Sequence, residues 1–315
     1  MDISVVIPLL NEKDSLEELC DSIYEVMSNY NFSYEIILID DGSKDKSWDL
    51  IKVLSTNSKF IKGIKFKRNY GKSQALHAGF LNCQGEVVFT MDADLQDDPK
   101  EIPEMYDMII NNNFDLVSGW KKKRFDSVLF KNIPSKIFNF AARITSGIKL
   151  NDFNCGLKAY RKDVIKNINV YGEMHRYIPV LAKNEGYTKI GEKIVKHRPR
   201  KHGNTKFGPS RFLHGFLDLL TIWFVSSFGK RPMHLFGLLG IIMLTIGFLF
   251  AAFLGYDKIF VNPTGRLITE RPEFYISLVT MIIGSQFFSM GFIGELMLRN
   301  SNKRPHYIID KQTNL

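Results

Sequence analysis

The stretch "VVFTMDADLQDDP" (87–99) ends an apolar run in a crowd of carboxylates, at Asp92, Asp94, Asp97 and Asp98, with Gln96 among them. Like charges set this close repel, so the crowd is either a solvated turn or the rim of a cation site. Asp92, Asp94 and Gln96 alternate along the chain, and an extended backbone sends alternate side chains to one side. Hard oxygen ligands of this kind suit Mg2+ or Mn2+, held by one or two carboxylates together with phosphate oxygens of a substrate. Asp97 and Asp98, directly before Pro99, read instead as the cap and first turn of a helix.

Three further polar clusters, "NE" (11–12), "DDGS" (40–43) and "RNYGK" (68–72), also follow apolar runs. No GxGxxG follows the first run and no GxxxxGK[ST] occurs anywhere, so nicotinamide dinucleotide binding and P-loop hydrolysis lack their phosphate cradles. His175, His197 and His202 lack ligand spacing, and His77 lies in a stretch rich in Ala, Leu and Phe that reads as packing. Cys20, Cys83 and Cys155 are odd in number, far apart and off any metal spacing. They read as reduced thiols filling the core.

The elements that must hold these clusters follow from periodicity. "ISVVIPL", "EIILID", "IKGIKFK", "EVVFTMD" and "DLVSGW" are strands, and the amphipathic stretches between them are helices. Asp14 or Ser15 would cap the first helix, and another helix is expected near 99–112. Strands this apolar, separated by helices, imply an α/β domain with a mostly parallel, Rossmann-like sheet covered on both faces. Ligands of such sheets gather beyond the carboxyl ends of the strands, which is where all four polar clusters fall.

The second half differs in character. Leu235–Tyr256 holds no charge, and Phe274–Gly294 holds none either, although Ser285, Gln286 and Ser289 interrupt it. Each is long enough to cross about 30 Å of hydrocarbon, so both read as transmembrane helices, at about 235–256 and 274–298. "SRFLHGFLDLLTIWFVSSF" (210–228) gathers Leu213, Phe216, Leu220 and Phe224 on one face, as an amphipathic helix lying in the membrane surface does. A third span is the competing reading, against which Asp218 counts, because a carboxylate is costly in lipid. The expected organisation is therefore 1–209 catalytic, 210–232 interfacial and 233–315 membrane. Lys230, Arg231, Arg299, Lys303, Arg304 and Lys311 outweigh the basic residues of the loop between the spans, which puts the large domain in the cytoplasm. The N-terminus has no basic n-region, so a cleaved signal peptide is not expected. A net charge of +9 suits an anionic membrane or phosphate-bearing substrates; with two apolar spans present, no nucleic-acid partner is expected.

"VVIPLLNE", "LIDDGS", "RNYGKSQAL", "MDADLQDDP" and "RKHGNTKFG" together resemble the family 2 glycosyltransferases of GT-A fold. More narrowly, they are similar to the polyprenyl-phosphate hexose synthases, dolichyl-phosphate mannose synthase among them, over nearly the whole chain. The resemblance implies that Pro8, Leu10, Glu12, Leu38 and Asp40 line the base and ribose pocket. Asp92, Ala93 and Asp94 would meet the ribose and diphosphate, with Asp92, Asp94 and Gln96 on the metal and Lys72 on the donor. Arg200 and Lys206 would bracket a loop closing on the donor phosphates, with Thr205 where relatives carry serine. Where relatives carry an arginine soon after the glycine of "VSGW", this chain has Trp120-Lys121, leaving Lys121 or Arg124 to serve.

Asp152 in "LNDFNCG" matches the family's acidic residue near the acceptor, as a base or an orienting group; capping a turn is its structural alternative. Arg124, Lys131 and Arg143 are candidates for the lipid phosphate, because a basic patch above a bilayer attracts that headgroup. The implied reaction is inverting hexosyl transfer from a nucleotide diphosphate sugar, UDP-glucose or another UDP-sugar before GDP-mannose, to polyprenyl phosphate at the bilayer. The rivals are a membrane glycosyltransferase extending a polysaccharide or glycolipid, and a non-catalytic nucleotide-binding scaffold. A homo-oligomer built through the membrane helices is compatible with the pattern.

Overall fold

The structure is a computed structural model describing residues 1–122, 139–140, 142–144, 146–170, 172, 174–199, 224, 231–300 and 309–313. Two strands, β1 (Ile3–Leu9) and β2 (Tyr34–Asp40), are buried along nearly their whole length, as continuous apolar runs covered on both faces must be. They lie parallel to each other, and β1 also lies parallel to β4 (Val87–Thr90), β2 to β3 (Ile61–Phe66). The period-2 rule divides their side chains cleanly. Val5, Ile7, Leu38 and Phe89 face one core with helix α1 (Lys13–Asn29), whereas Val6, Ile37, Ile39 and Val88 face a second core with α3 (Lys72–Asn82).

The full sheet has eight strands in the order β7-β5-β6-β4-β1-β2-β3-β8. It is mostly parallel, and β5 (Leu116–Trp120) pairs parallel with β7 (Ile190–Ile194). β6 (Lys158–Arg161) runs antiparallel to both β4 and β5, and β8 (Ile309–Thr313) antiparallel to β3. The remaining helices here are α2 (Ser47–Asn57), α4 (Ile102–Ile110), α5 (Lys162–Asn167) and α6 (Ile178–Asn184). Neither Asp14 nor Ser15 caps α1: the helix begins at Lys13, and the Ser15 hydroxyl donates to the Glu12 carbonyl at 2.9 Å from inside the first turn.

The chain divides into two units, Met1–Trp223 with Pro305–Leu315, and Phe224–Arg304. The last strand, expected with the membrane part, thus belongs to the sheet unit, because β3 offers an open edge that β8 can pair with. Residues 210–223 and 225–230 of the expected interfacial helix lie outside the described residues.

The second unit is a helical hairpin of α7 (Pro232–Tyr256) and α8 (Pro272–Asn300), joined through a loop that an Arg271–Asp257 ion pair of 2.6 Å ties together. At 1.5 Å per residue both helices exceed about 35 Å, long enough to span with some tilt. They are apolar outward: Phe248 is 62% exposed and Leu249 61%. A soluble core helix would hide those side chains. Backbones meet instead, since a Cβ on Gly240 would lie 2.7 Å from the Gly284 carbonyl oxygen, and one on Gly284 2.8 Å from Leu244 N.

Candidate active site

The loops leaving the carboxyl ends of β1, β2 and β3 are wired to one another. After β1, Asn11 takes a left-handed φ of 52°, a region asparagine tolerates better than most residues. Its N–H donates to Ser43 Oγ and its Oδ1 accepts from Lys44 N–H, both at 2.8 Å. After β2, Asp40 is fully buried and accepts the Ser43 N–H at 2.7 Å, an Asx-type turn. Asp41 accepts from Tyr70 N–H at 2.7 Å and Gly71 N–H at 3.0 Å, which fastens the β2 loop to the β3 loop. Gly42, at φ 77°, sits where a Cβ would lie 2.4 Å from the Arg68 carbonyl carbon, so the close approach of the two loops requires glycine. Burial pushes the Asp41 carboxyl up to about 6 despite the two N–H donors.

These loops, with the end of β4, enclose a cleft of about 350 Å³. Of the residues expected at the donor, Pro8, Leu10, Glu12, Lys72, Asp92, Ala93 and Asp94 line it. Leu38 and Asp40 do not line it; both are fully buried. Asp40 Oδ2 finds no hydrogen-bond partner among the described residues.

Beyond β4 the chain is not extended. Residues 93–95 turn, Leu95 takes a φ of 63°, and Asp94 Oδ1 accepts the Gln96 N–H at 3.3 Å. The turn breaks the alternation that was to send Asp92, Asp94 and Gln96 to one side. Asp92 and Asp94 line the cleft, whereas the Gln96 amide nitrogen lies 3.5 Å from His197 Nε2 and from the Arg198 carbonyl. Asp98 caps the following 3-10 turn through Lys100 N–H at 3.1 Å, as expected of it. Asp97 does not: it is buried and paired with Lys121 at 2.8 Å.

Cations crowd the Asp92 carboxylate. Lys72 pairs with it directly, and buried Lys158, which donates to the Cys155 carbonyl, lies close by. Burial pushes the Asp92 carboxyl up, but the charges of Lys72, Lys121 and Lys158 outweigh it and hold the group well below the usual carboxylate range. Burial also lowers Lys158, with the Lys72 charge acting in the same direction. Gly156 makes room for this arrangement, since a Cβ there would lie 2.6 Å from Asp92 Oδ2. Lys121, expected at a phosphate, has its ammonium on Asp97, whose charge holds it above the ordinary lysine range against burial.

Among the described residues no three His, Cys, Asp or Glu side chains converge on one point, so these residues alone build no closed metal cage. Asp92 and Asp94 on the wall of an open cleft do fit a Mg2+ or Mn2+ ion that takes its other ligands from substrate phosphates and water. Gln96 would have to turn away from His197 to join them.

The sequence did not point to His175 and Arg176, yet both line the cleft. They lie on a 3-10 turn, Met174–Tyr177, that is pinned to the start of α3: Ser73 Oγ accepts the His175 N–H at 3.0 Å and lies 3.2 Å from Nδ1. Burial, then the charges of Lys72 and Arg176, push the His175 imidazole well below its usual range, which keeps it neutral. The signal was present in "MHRYIP", where two basic side chains interrupt a segment that is otherwise apolar.

Asp152 is 1% exposed and accepts from Asn154 N–H at 3.0 Å and from Lys121 N–H at 3.4 Å. Arg143 donates to Asn151 Oδ1 at 3.1 Å, and Glu192 accepts the N–H groups of Asn151 and Asp152. Arg124, Lys131, Arg200, Thr205 and Lys206 lie outside the described residues. The three thiols are buried, and burial pushes Cys20, Cys83 and Cys155 up to about 12, 11 and 12, in keeping with core filling.

Comparison with known proteins identifies the family and the fold. The model of the family described as "Glycosyl transferase family 2" matches residues 4–168. A dodecaprenyl-phosphate galacturonate synthase of Rhizobium johnstonii is 34% identical over 314 residues, covering 98% of this chain and 92% of that protein. An undecaprenyl-phosphate 4-deoxy-4-formamido-L-arabinose transferase of Pseudomonas syringae pv. syringae is also 34% identical, over 98% of this chain and 90% of its own length. Among solved structures, the fold resembles glucosyl-3-phosphoglycerate synthase from Mycobacterium tuberculosis in complex with UDP. The TM-score is 0.55 at 19% identity, over 70% of this chain and 80% of that one. The same enzyme with Mn2+, UDP-glucose and glycerol 3-phosphate gives 0.53 at 17% identity, over 71% and 79%.

Proposed function

The chain belongs to glycosyl transferase family 2, and from that membership we propose that it moves a hexosyl group from a nucleotide diphosphate sugar to polyprenyl phosphate. The observation that carries the reading is one cleft in which Asp92 and Asp94 meet Lys72 and Arg176, in a chain that goes on to two long apolar helices. A cleft with both charges suits a diphosphate and its counter-ion, and the helices suit an acceptor that lives in the bilayer. Relatives named for transfer to a polyprenyl phosphate match along nearly their whole length, which favours a lipid phosphate over a growing polysaccharide.

An oxygen of the acceptor phosphate attacks the anomeric carbon while the bond to the nucleoside diphosphate breaks on the opposite face. One displacement inverts the centre. The acceptor is already an anion near neutral pH, so positioning and charge neutralisation carry most of the catalysis and no strong base is needed. Asp92 and Asp94 would hold a Mg2+ or Mn2+ ion, which would supply part of that neutralisation when bound. Lys72 and Arg176 supply more from the protein, joined by Arg200 and Lys206. Pro8, Leu10 and Glu12 border the base and ribose. Asp152 acts as a positioning residue, holding the turn that carries Gly156 under Asp92. Arg124, Lys131 and Arg143 gather the lipid phosphate.

The return of β8 to the sheet supports the two-span topology. Residues on both sides of the hairpin share one sheet, so the chain between them crosses the bilayer an even number of times. A third span over 210–228 would break that parity. The charge flanks then set the sheet unit in the cytoplasm.

The test uses purified full-length protein in detergent with polyprenyl phosphate, Mg2+ or Mn2+, and a panel of UDP-sugars and GDP-mannose. A lipid-linked sugar that appears with one donor and disappears on chelation is the expected result. Two relatives of equal identity bear the names of different sugars, so the panel rather than similarity identifies the donor. Turnover that ignores the lipid phosphate and lengthens an oligosaccharide would overturn the reading in favour of polysaccharide extension.

A further inference from the structure

Three lysines lie around the Asp92 carboxylate, and they are not equivalent. Lys158 donates to the Cys155 carbonyl, and the Lys121 ammonium sits on Asp97 at 2.8 Å, so both are anchored elsewhere. Of the three, only Lys72 pairs with the carboxylate itself, through Oδ1. Backbone closes over another side of Asp92, where a Cβ on Gly156 would lie 2.6 Å from Oδ2. Approach to the carboxylate is therefore from the cleft, whose wall Lys72 shares. The main chain of Lys72 is held in place: Asp41 accepts the N–H groups of Tyr70 and Gly71 just before it, and Lys72 itself begins α3. Its ammonium is not held in that way, since lysine carries its charge on a flexible four-carbon stem. The two side chains of the pair are 35% and 31% exposed, open enough for the ammonium to leave without stranding a charge in a dry interior.

Resting on the reading that Asp92 and Asp94 hold Mg2+ or Mn2+, we propose that Lys72 is a tethered competitor of that ion, drawn off Asp92 by the diphosphate of the donor. An ammonium and a divalent cation seek the same carboxylate oxygens and repel each other. The diphosphate offers Lys72 a stronger set of acceptors, and the same phosphates complete the coordination of the ion that takes its place. Ion and nucleotide therefore bind as a coupled pair, and such coupling is reciprocal. Once transfer is over, the ammonium swings back to Asp92 and helps to release the ion with the nucleoside diphosphate. A lysine that merely steadied Asp92 would act with the opposite sign, because its loss would loosen the carboxylate and weaken the ion's hold.

The experiment measures Mn2+ binding to purified full-length protein in detergent, read from the spin-resonance signal of free Mn2+, without nucleotide and with UDP or GDP. Wild type is compared with Lys72→Met and Lys72→Gln, which remove the charge, with Lys72→Arg, which keeps it, and with Asp94→Ala. Without nucleotide, both neutral variants should bind Mn2+ about three- to thirtyfold more tightly than wild type, the worth of a charge-assisted pair discounted for its exposure. Lys72→Arg should stay near wild type. Nucleotide should then tighten Mn2+ binding less in the neutral variants than in wild type. A misfolded chain does not supply a gain in affinity, so the expected result cannot come from damage. Neutral variants that bind Mn2+ no more tightly than wild type, while Asp94→Ala binds it less, would overturn the competition and leave the ion site standing. Mn2+ binding that Asp94→Ala leaves unchanged, with nucleotide present, would instead remove the ion from these carboxylates and the proposal with it.

Discussion

The two units of this chain pack by opposite rules. In the sheet unit Phe89, Ile7 and Ile37 are fully buried, and hiding such side chains from water is the main source of stability. In the hairpin the large apolar side chains point outward and glycines lie at the contact, with Gly240 against Gly284. On the proposed reading of the hairpin as two membrane spans, its surroundings are lipid tails as apolar as leucine, so nothing is gained there by burying leucine, and close backbone approach takes over. Composition alone would call both units hydrophobic. Which atoms are hidden depends on the solvent each unit meets.

The widest test of this contrast is a pair of truncations. Phe89→Ala should destabilise the sheet unit by about 3–5 kcal/mol, whereas Leu249→Ala on the outer face of α7 should change hairpin stability by less than about 0.5 kcal/mol. Denaturant titration in detergent, followed by a probe in each unit, reads both. A comparable loss at Leu249 would mean that α7 is buried in something other than lipid.

A second contrast lies within the sheet unit, between its core and its cleft. Asp94→Ala should lower the transfer rate by about 10²–10³, or roughly 3–4 kcal/mol of barrier, and leave the unfolding midpoint where it was. Arg176→Ala should cost a smaller factor of about ten to a hundred in donor use. Near-normal turnover in Asp94→Ala at saturating Mg2+ or Mn2+ would detach the carboxylate from the chemistry.

Asp41 joins the two, being a buried group on the cleft wall. Its folded carboxyl is raised to about 6 from an unfolded value near 4, so protons bind the folded state more readily. Its contribution is therefore present below about pH 4 and is lost as the pH climbs through 6. Across that window the wild type should lose up to about 3 kcal/mol of stability from this group, and Asp41→Asn should flatten the slope. A slope identical in mutant and wild type would show that Asp41 ionises freely.

The last contrast lies within the hairpin. Gly284→Ala would place a methyl group 2.8 Å from Leu244 N and should destabilise the helix pair by about 1–3 kcal/mol. Gly255→Ala on α7, which meets nothing within 4 Å, should be neutral or slightly stabilising. Equal behaviour of the two would remove the glycine seam from the account.

What could be read from the sequence follows the same division. β1 to β5 and their helices were legible because solid apolar runs leave a core strand no alternative. β6, β7 and β8 were missed: "KAYR", "IGEKI" and "IDKQT" are short, half polar and chosen by the edges they complete. In the cleft, Asp92, Asp94, Lys72 and Glu12 could be located because strand ends collect ligands. Gln96 was misjudged because Leu95 turns the chain, a left-handed conformation that leucine does not advertise. His175 and Arg176 were passed over because a contact with Ser73, 102 positions away, is what brings them in.

β8 also sets a clock on the molecule's making. It pairs Thr313 with Gly63, residues 250 positions apart, so the strand that covers the edge of β3 is translated long after β3 itself. At roughly 5–20 residues per second, β3 waits tens of seconds with the backbone groups of that edge unpaired. An open, apolar strand edge is a template for pairing with another chain. Chains that lack β8 would thus be expected to aggregate although every cleft residue described here is already in place.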